Sequence, residues 1–433
     1  MSEGKKRILV LGGGFGGAYA AQKLSKLLRG TEYELTVVDR NNYLLFYPLL
    51  VEAGVGVLEP RHVVVPIRKF MPQGDFRMAE VLAIDTDRHT VEIKVVGHHS
   101  SETLDYEHLV FSLGSITRIP PIPGLKEHAF ELKSLGDAIE MRDRGIRLLE
   151  LANTLNSRDE RRALLRVIVV GGNYTGVEFA GEYQAFLSQA AKQYHHLESS
   201  DIEVRVLELG ERILPTVDPK LADWAHRTLT ARGLVIQPKN TVCEVGADFV
   251  VLKSGERLDT RTVVWAAGIA PNPLLATVKN FPLNGRGYLD CERDLRVKGF
   301  SNVWAVGDSA TVYDENGQPY SATAQNASRQ GPLVAKNIVS ALNGQNTKPF
   351  DFKTLGSFAI IGHRSATAEF MGLKFRKFIG WFLYRGTYLA KMPTLAMKVR
   401  LAIDWFLELV LPAEIVQLGI HRAKSTPSRG NGK

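Results

Sequence analysis

The chain has 433 residues, 45% of them hydrophobic and 23% charged, which suits two or three domains with their own cores and argues against disorder. Lys and Arg number 54 against 46 Asp and Glu, a formal charge of +8 that favours an anionic surface without choosing between membrane and nucleic acid. The two cysteines, Cys243 and Cys291, are too far apart in sequence for a redox pair and no histidine spacing suits zinc, so a reducing compartment and no metal are expected.

The opening Met1-Ser-Glu-Gly-Lys-Lys-Arg7 runs directly into a strand-like Ile8-Leu-Val-Leu11, leaving no room for the apolar core of a signal peptide, so secretion is not expected. Gly12-x-Gly14-x-x-Gly17 follows, then a helix to about Leu28 and a second strand, Leu35-Thr-Val-Val-Asp39. This spacing is what a Rossmann turn needs: a tight bend, a bare backbone that a pyrophosphate can approach, and close packing of helix on strand. The helix N-terminus offers unpaired N–H groups, and Asp39 stands where a carboxylate accepts hydrogen bonds from a ribose hydroxyl.

A strand signal at Leu109-Val-Phe-Ser-Leu-Gly114 and a polar-faced helix over 134 to 155 lead to a second copy of the unit. Here Val167-Ile-Val-Val precedes Gly171-x-Asn173-x-x-Gly176, and the second strand ends in Glu208. Asn173 stands where the pattern prefers glycine. Asparagine tolerates left-handed backbone better than most residues, and its amide either bonds a phosphate or crowds it. The Glu208 carboxylate repels a 2′-phosphate and so favours NADH over NADPH. The gap from Gly176 to Glu208 exceeds the usual spacing by about a dozen residues, which predicts a helix about three turns longer.

Two more strands end in glycine, Thr262-Val-Val-Trp-Ala-Ala-Gly268 and Val303-Trp-Ala-Val-Gly307, the latter followed by Asp308. Residues 283 to 310 are expected to return the chain to its first unit. From about 351 the composition changes: a strand-like Gly356-Ser-Phe-Ala-Ile-Ile361 precedes two helices rich in aromatic and basic residues, and Ser425 to Lys433 is expected to be a mobile tail. Residues 374 to 433 hold eleven Lys or Arg and three Asp or Glu, so the positive excess is C-terminal.

The first helix of this region sets Phe378, Ile379, Phe382 and Leu389 to one side. The second carries Leu395, Val399, Ile403, Phe406 and Val410 at three-to-four spacing, opposite Arg400, Asp404 and Glu408. Such faces suit a bilayer interface; packing on the first nucleotide-binding domain or pairing of two copies into a homodimer are the alternatives. No window of about 18 uninterrupted apolar residues predicts a spanning helix.

Several segments together resemble one known family. They are Asp39-Arg-Asn-Asn-Tyr-Leu-Leu-Phe-Tyr-Pro-Leu-Leu50, Tyr106-Glu-His-Leu-Val110, Gly114-Ser, Ile122-Pro-Gly-Leu-Lys-Glu-His-Ala-Phe130, Thr175-Gly-Val-Glu-Phe-Ala-Gly-Glu182, Trp265-Ala-Ala-Gly-Ile-Ala-Pro-Asn272 and Trp304-Ala-Val-Gly-Asp308. Over nearly its whole length the chain resembles the type II NADH dehydrogenases, single-chain NADH:quinone oxidoreductases that do not pump protons. The resemblance implies FAD contacts from Gly12, Gly14, Phe15, Gly16, Gly17, Asp39, Arg40, Pro48, Val81, Gly114, Gly307, Asp308 and Gln325. It implies NADH contacts from Gly171, Asn173, Tyr174, Gly176, Glu178, Glu208, Ala267 and Gly268. Glu178 corresponds to a family glutamate near both cofactors, where it tunes binding or proton supply.

The family's quinone signature, Ala-Gln-x-Ala-x-Gln, is met by Ala324-Gln325-Asn326-Ala327-Ser328-Arg329, with Gln330 one place late. Gln325 is expected on the quinone side. A guanidinium at Arg329 either donates to a quinone oxygen or reduced flavin, or signals a different acceptor.

The expected fold is α/β, with two Rossmann-like dinucleotide-binding domains and a C-terminal amphipathic helical membrane-binding region. The FAD domain is discontinuous, over 1–117 and 286–350; the NAD(P)H domain, 118–285, is inserted, and 351–433 forms the C-terminal domain. The expected activity passes hydride from NADH to FAD and electrons on to a membrane quinone, by a peripheral enzyme on the cytoplasmic face that binds no nucleic acid. The competing readings are a soluble NAD(P)H diaphorase with a non-quinone acceptor and a non-catalytic NADH-sensing scaffold.

Overall fold

The computed structural model describes residues 6–354, 356–411 and 414–419, so the expected tail beyond Ser425 lies outside the described residues. The chain divides into two compact units, Met1–Leu45 with Val64–Ile116 and Ile269–Thr354, and Phe46–Val63 with Thr117–Gly268 and Leu355–Lys433.

In the first unit the strand Lys6–Leu11 is apolar on both faces, as a central parallel strand must be. It pairs in parallel with Tyr33–Asp39 on one side and His108–Phe111 on the other. Val303–Ala305 adds to His108–Phe111, so the late segment completes the early sheet. Beyond Tyr33–Asp39 the seven-stranded sheet continues through Asp75–Asp85 and then, antiparallel, through Thr90–Val95 and Ser101–Asp105. The glycine helix Phe15–Leu27 lies tightly against the helix Ala324–Leu342. A Cβ on Gly331 would sit 2.5 Å from the Gly16 carbonyl oxygen, so only glycine permits that crossing.

The second unit repeats the plan. Its five-stranded parallel sheet runs Phe130–Glu131, Thr262–Trp265, Arg166–Val170, Glu203–Glu208 and Val235–Pro238. A three-stranded antiparallel sheet over Val242–Asp259 caps one side through Val242, Val250 and Leu258. The helix Leu135–Asn153 starts at a capping box between Ser134 and Asp137, which satisfies two of its orphan N–H groups.

The second glycine helix is not three turns longer than the first. It spans 18 residues, Tyr174–Ala191, against 13 for Phe15–Leu27. Much of the remaining insertion forms an irregular connection to Glu203, ending in a short helical turn Ser199–Asp201. This connection is held by charge: the buried Asp201 carboxylate lies 3.2 Å from Arg158 and 3.5 Å from Arg161.

The C-terminal part of the unit is a three-stranded antiparallel sheet, Gly356–Ile360, Ala366–Phe370 and Leu373–Arg376, followed by helices Lys377–Lys391 and Leu395–Val410. Their inner faces carry Trp381, Tyr384 and Arg385, then Met397, Leu401 and Trp405. The stripe predicted from spacing, Leu395, Val399, Ile403, Phe406 and Val410, is exposed, as are Phe378, Ile379 and Phe382, whereas Leu389 is half-buried. Asp404 and Glu408, expected on the water side, instead turn inward. Asp404 meets His62 at 2.6 Å and Glu408 meets Arg385 at 3.2 Å, and those partners hold the helix by its polar edge. Among the described residues, no helix is long and apolar enough to cross a membrane.

Candidate functional site

Each unit carries a glycine cradle at the end of a parallel strand, Lys6–Leu11 in the first and Arg166–Val170 in the second. In the first, Gly12 has φ +99°, and a Cβ there would lie 2.3 Å from the Ser112 carbonyl oxygen. A Cβ on Gly17 would lie 1.9 Å from the Gly12 oxygen, so two positions of the motif admit glycine alone. Gly14 differs: a Cβ there meets nothing within 4 Å, which marks the open side of the turn. Phe15 and Gly16 open the helix, whose first turn contains no acidic residue of its own.

Asp39 closes this cradle from the neighbouring strand. One carboxylate oxygen accepts the Gly13 N–H at 2.6 Å and the other the Asn41 N–H at 2.7 Å. Asp39, expected from the sequence to meet a ribose, shapes the loop through these two bonds and keeps further lone pairs for hydroxyl donors. Burial raises its pKa, opposed by those N–H bonds and by Arg40. Arg40 is exposed, and Val81 lies half-buried on the adjacent strand.

The same unit gathers Gly114, Gly307, Asp308 and Gln325. Gly114 donates its N–H to Ser309 Oγ at 2.8 Å, and Ser115 Oγ lies 3.0 Å from the Asp308 carboxylate. Gly307 donates its N–H to the Gln330 side chain at 2.7 Å. Ser112, Ser309 and Gln330 were missed as site-building residues. Ser112 and Ser309 flank glycines at strand ends, and that proximity was their only signal; Gln330 stood out as the signature glutamine displaced by one place.

Gln325 and Arg329 lie in the first turns of the helix Ala324–Leu342, which Thr323 caps. The Arg329 guanidinium donates to the Gln325 carbonyl at 3.0 Å and lies 3.9 Å over the Phe352 ring. Pro48 belongs to the second unit, where its carbonyl accepts the Tyr384 hydroxyl at 2.7 Å.

The second cradle repeats these constraints. Gly171 has φ +112°, and a Cβ on Gly176 would lie 1.9 Å from the Gly171 oxygen. Glu208 takes the place of Asp39, its two carboxylate oxygens accepting N–H groups from Gly172 and Gly210, each at 2.6 Å. Asn173 is extended (φ −77°), so the left-handed tolerance noted in the sequence is not used. Its amide serves the fold: the oxygen accepts the Gly176 N–H at 3.1 Å and the nitrogen donates to the Ala266 carbonyl at 2.7 Å. Tyr174 starts the helix, half-buried, while Ala267 and Gly268 follow the strand beside the cradle.

Glu178 lies one turn into the second glycine helix and is half-buried. One carboxylate oxygen accepts the Ile360 N–H at 3.2 Å. Desolvation raises its pKa well above the ordinary range, the Ile360 bond opposes this, and the charges of Glu52 and Glu182 reinforce it. Glu182, one turn further and buried, is pushed up to about 8 by desolvation, with Glu52 adding to the effect. Glu52 is wholly buried between the Trp405 indole N–H at 2.9 Å and Arg385 at 3.5 Å. This carboxylate cluster has no regular spacing, since Glu52, Glu182 and Glu408 come from three distant segments, so the sequence reading missed it.

Two glycine turns, each opening a helix and each with a carboxylate at the next strand end, fit two dinucleotides. The sequence pattern of the family described as pyridine nucleotide-disulphide oxidoreductase matches residues 6–331. The chain belongs to this family. A probable NADH dehydrogenase of Dictyostelium discoideum is 32% identical over 417 residues, 95% of this chain and 91% of the relative. A type II NADH:quinone oxidoreductase of Staphylococcus aureus is 30% identical over 382 residues, 86% of this chain and 91% of the relative. The type II NADH dehydrogenases are thus its branch of the family. Among solved structures, NDH2 from Plasmodium falciparum in complex with NADH superposes with a TM-score of 0.88 at 20% identity, covering 95% of this chain and all of that one, a likeness of fold. FAD and NADH are the cofactors of a type II NADH dehydrogenase, and both cradles have the glycine backbone that a dinucleotide can approach closely.

Proposed function

We propose that this chain is an FAD-dependent NADH:quinone oxidoreductase, with FAD on the Gly12–Gly17 cradle and NADH on the Gly171–Gly176 cradle. The observation that carries the reading is the duplicated cradle, each copy closed by a carboxylate on its second strand. Bound FAD would supply the redox chemistry, accepting hydride from nicotinamide and donating electrons to a quinone.

The chain's own residues bind, orient and hold protons. The helix N-terminus at Phe15 supplies N–H groups to a pyrophosphate, while Asp39 holds the loop and accepts from ribose. Glu208 holds the second loop and repels a 2′-phosphate. Burial raises the Glu178 pKa and so favours its protonated form, which suits a group that holds a proton near the nicotinamide site. Gln325 takes the quinone-side role in this reading, supported by Arg329, which donates to the Gln325 backbone carbonyl while stacked on Phe352.

The exposed stripe of Phe378, Phe382, Leu395, Ile403 and Phe406, with Lys377, Lys398 and Arg400 on the same two helices, suits a bilayer interface on the cytoplasmic face, where a lipid-soluble quinone is at hand. Purified protein tests the activity: a yellow colour bleached by NADH and restored by a quinone is expected, and protein that retains no flavin overturns the reading. Arg329 in the signature glutamine's place favours one second reading, a soluble diaphorase. Flotation with anionic liposomes separates the two, since a protein that stays at the bottom at every salt concentration is the soluble one.

A further inference from the structure

Away from both cradles, the second unit has a cleft of about 660 Å³, within the range of small-molecule sites. Its floor is the C-terminal part of the second glycine helix, with Gln184 and Ser188; its walls carry Arg162, Ser199, Arg232 and His363. Glu203 also lines it, but that carboxylate is held by Arg205 at 2.8 Å and Arg166 at 3.2 Å, so the rim stays cationic.

Two features are unusual for a mere surface hollow. Gln184 is 9% exposed and its amide oxygen has no hydrogen-bond partner. The amide nitrogen donates to the Arg232 carbonyl at 2.7 Å, which fixes the orientation of the group, so the oxygen is a buried acceptor awaiting a donor. His363 and the adjoining Arg364 sit in a tight turn closed by the Ser365 N–H to the Gly362 carbonyl. Both are left-handed, φ +52° and +53°, where Asn-Gly is the usual choice, and this strained turn presents His363 to the cleft.

We propose that this cleft binds a small phosphate monoester that carries a hydroxyl group, with Arg162 and His363 taking the phosphate and the Gln184 amide oxygen accepting the hydroxyl. Exposed Arg162, which has no ion pair among the described residues, supplies a planar fork of donors for phosphate. Occupation also bears on the cradle. The Arg232 guanidinium donates to the Ile361 and Gly362 carbonyls, Gly362 packs on the Gly181 backbone, and the Ile360 N–H holds Glu178. A ligand that tightens the turn therefore shifts the affinity for NADH.

Isothermal titration of the flavin-loaded full chain with glycerol 3-phosphate, inorganic phosphate and glycerol tests the site without reference to turnover. Saturable binding of glycerol 3-phosphate is expected, tighter than that of inorganic phosphate, with none of glycerol. Arg162→Ala should weaken it about tenfold, the loss of one charge-assisted contact. Gln184→Leu should abolish the preference over inorganic phosphate, and His363→Asn, which keeps a residue tolerant of the turn, should weaken both. No saturable binding at millimolar concentration, or equal binding by wild type and the exposed-site variant Arg162→Ala, overturns the proposal. NADH affinity should change by one factor with the cleft filled, and glycerol 3-phosphate affinity by the same factor with NADH bound. An unchanged NADH affinity at saturation overturns the link to Glu178.

Discussion

The Arg385 guanidinium lies 3.5 Å from the Glu52 carboxylate, with both side chains almost wholly withdrawn from solvent. Arg385 also faces Glu408 at 3.2 Å and stacks between the Trp381 and Trp405 rings, at 4.0 and 5.0 Å. One guanidinium thus ties both C-terminal helices to the short helix Leu50–Gly54, and it opposes the desolvation that raises the Glu52 pKa.

Removing that guanidinium leaves a buried carboxylate without its ion partner. Arg385→Met should cost about 3–5 kcal/mol of unfolding free energy in chemical denaturation, because the uncompensated charge is the expensive part. The double variant Arg385→Met with Glu52→Gln should recover much of the loss. A single-variant loss below about 1 kcal/mol would contradict a dry, coupled pair.

Glu182 connects the same cluster to pH. Its folded pKa, about 8, lies above the ordinary glutamate value of 4.5, so the folded state holds a proton that the unfolded chain has released between those limits. Its contribution therefore falls as pH rises from 4.5 through about 8. Glu182→Gln removes this slope, and the variant should gain on wild type by more than about 1 kcal/mol between pH 6 and pH 9. Parallel pH profiles of the two proteins would refute the assignment.

In the proposed function Glu208, whose charge stands at the end of the second strand of its cradle, sets the specificity for the nicotinamide cofactor. Glu208→Gln keeps an acceptor for one loop N–H and removes the repulsion. The ratio of kcat/KM for NADH to that for NADPH should fall at least about tenfold, the equivalent of about 1.4 kcal/mol.

Asn173 is a helix cap in this fold. Asn173→Ala removes both of its side-chain bonds and should cost about 1 kcal/mol, with Asn173→Gly costing only a few tenths. Thermal denaturation of both variants decides this. If the alanine variant matches wild type in stability but loses NADH affinity, the amide acts on the phosphate instead.

Gly17→Ala provides the sharpest test of the flavin cradle, since the added carbon would lie 1.9 Å from the Gly12 oxygen. The variant should purify without the flavin absorbance of wild type, whereas Gly14→Ala, at the open position, should fold and lose flavin only in proportion to how closely the ligand approaches.

Periodicity and glycine spacing alone were enough to place both βαβ units, because a parallel strand buried on both faces and a glycine turn before a helix are local demands written in consecutive residues. Asp39 and Glu208 were legible for the same reason, each ending a strand at a known remove from its turn. Resemblance, rather than pattern, supplied Glu178 and Gln325. The length of the second glycine helix was misjudged, since a residue gap does not reveal whether inserted chain continues a helix or forms a loop pinned by Asp201 to Arg158 and Arg161.

What the amino-acid sequence determined by itself was the pair of nucleotide folds and the amphipathic character of the last two helices. Only the tertiary structure decided which way those helices turn, with Asp404 and Glu408 inward on His62 and Arg385 and the apolar stripe exposed. It also decided that Glu52, Glu182 and Arg385 share one interior and that Gln330 reaches Gly307. Backbone demands are local and can be read along the chain; the partner of a charge is set by whichever distant segment the fold brings beside it.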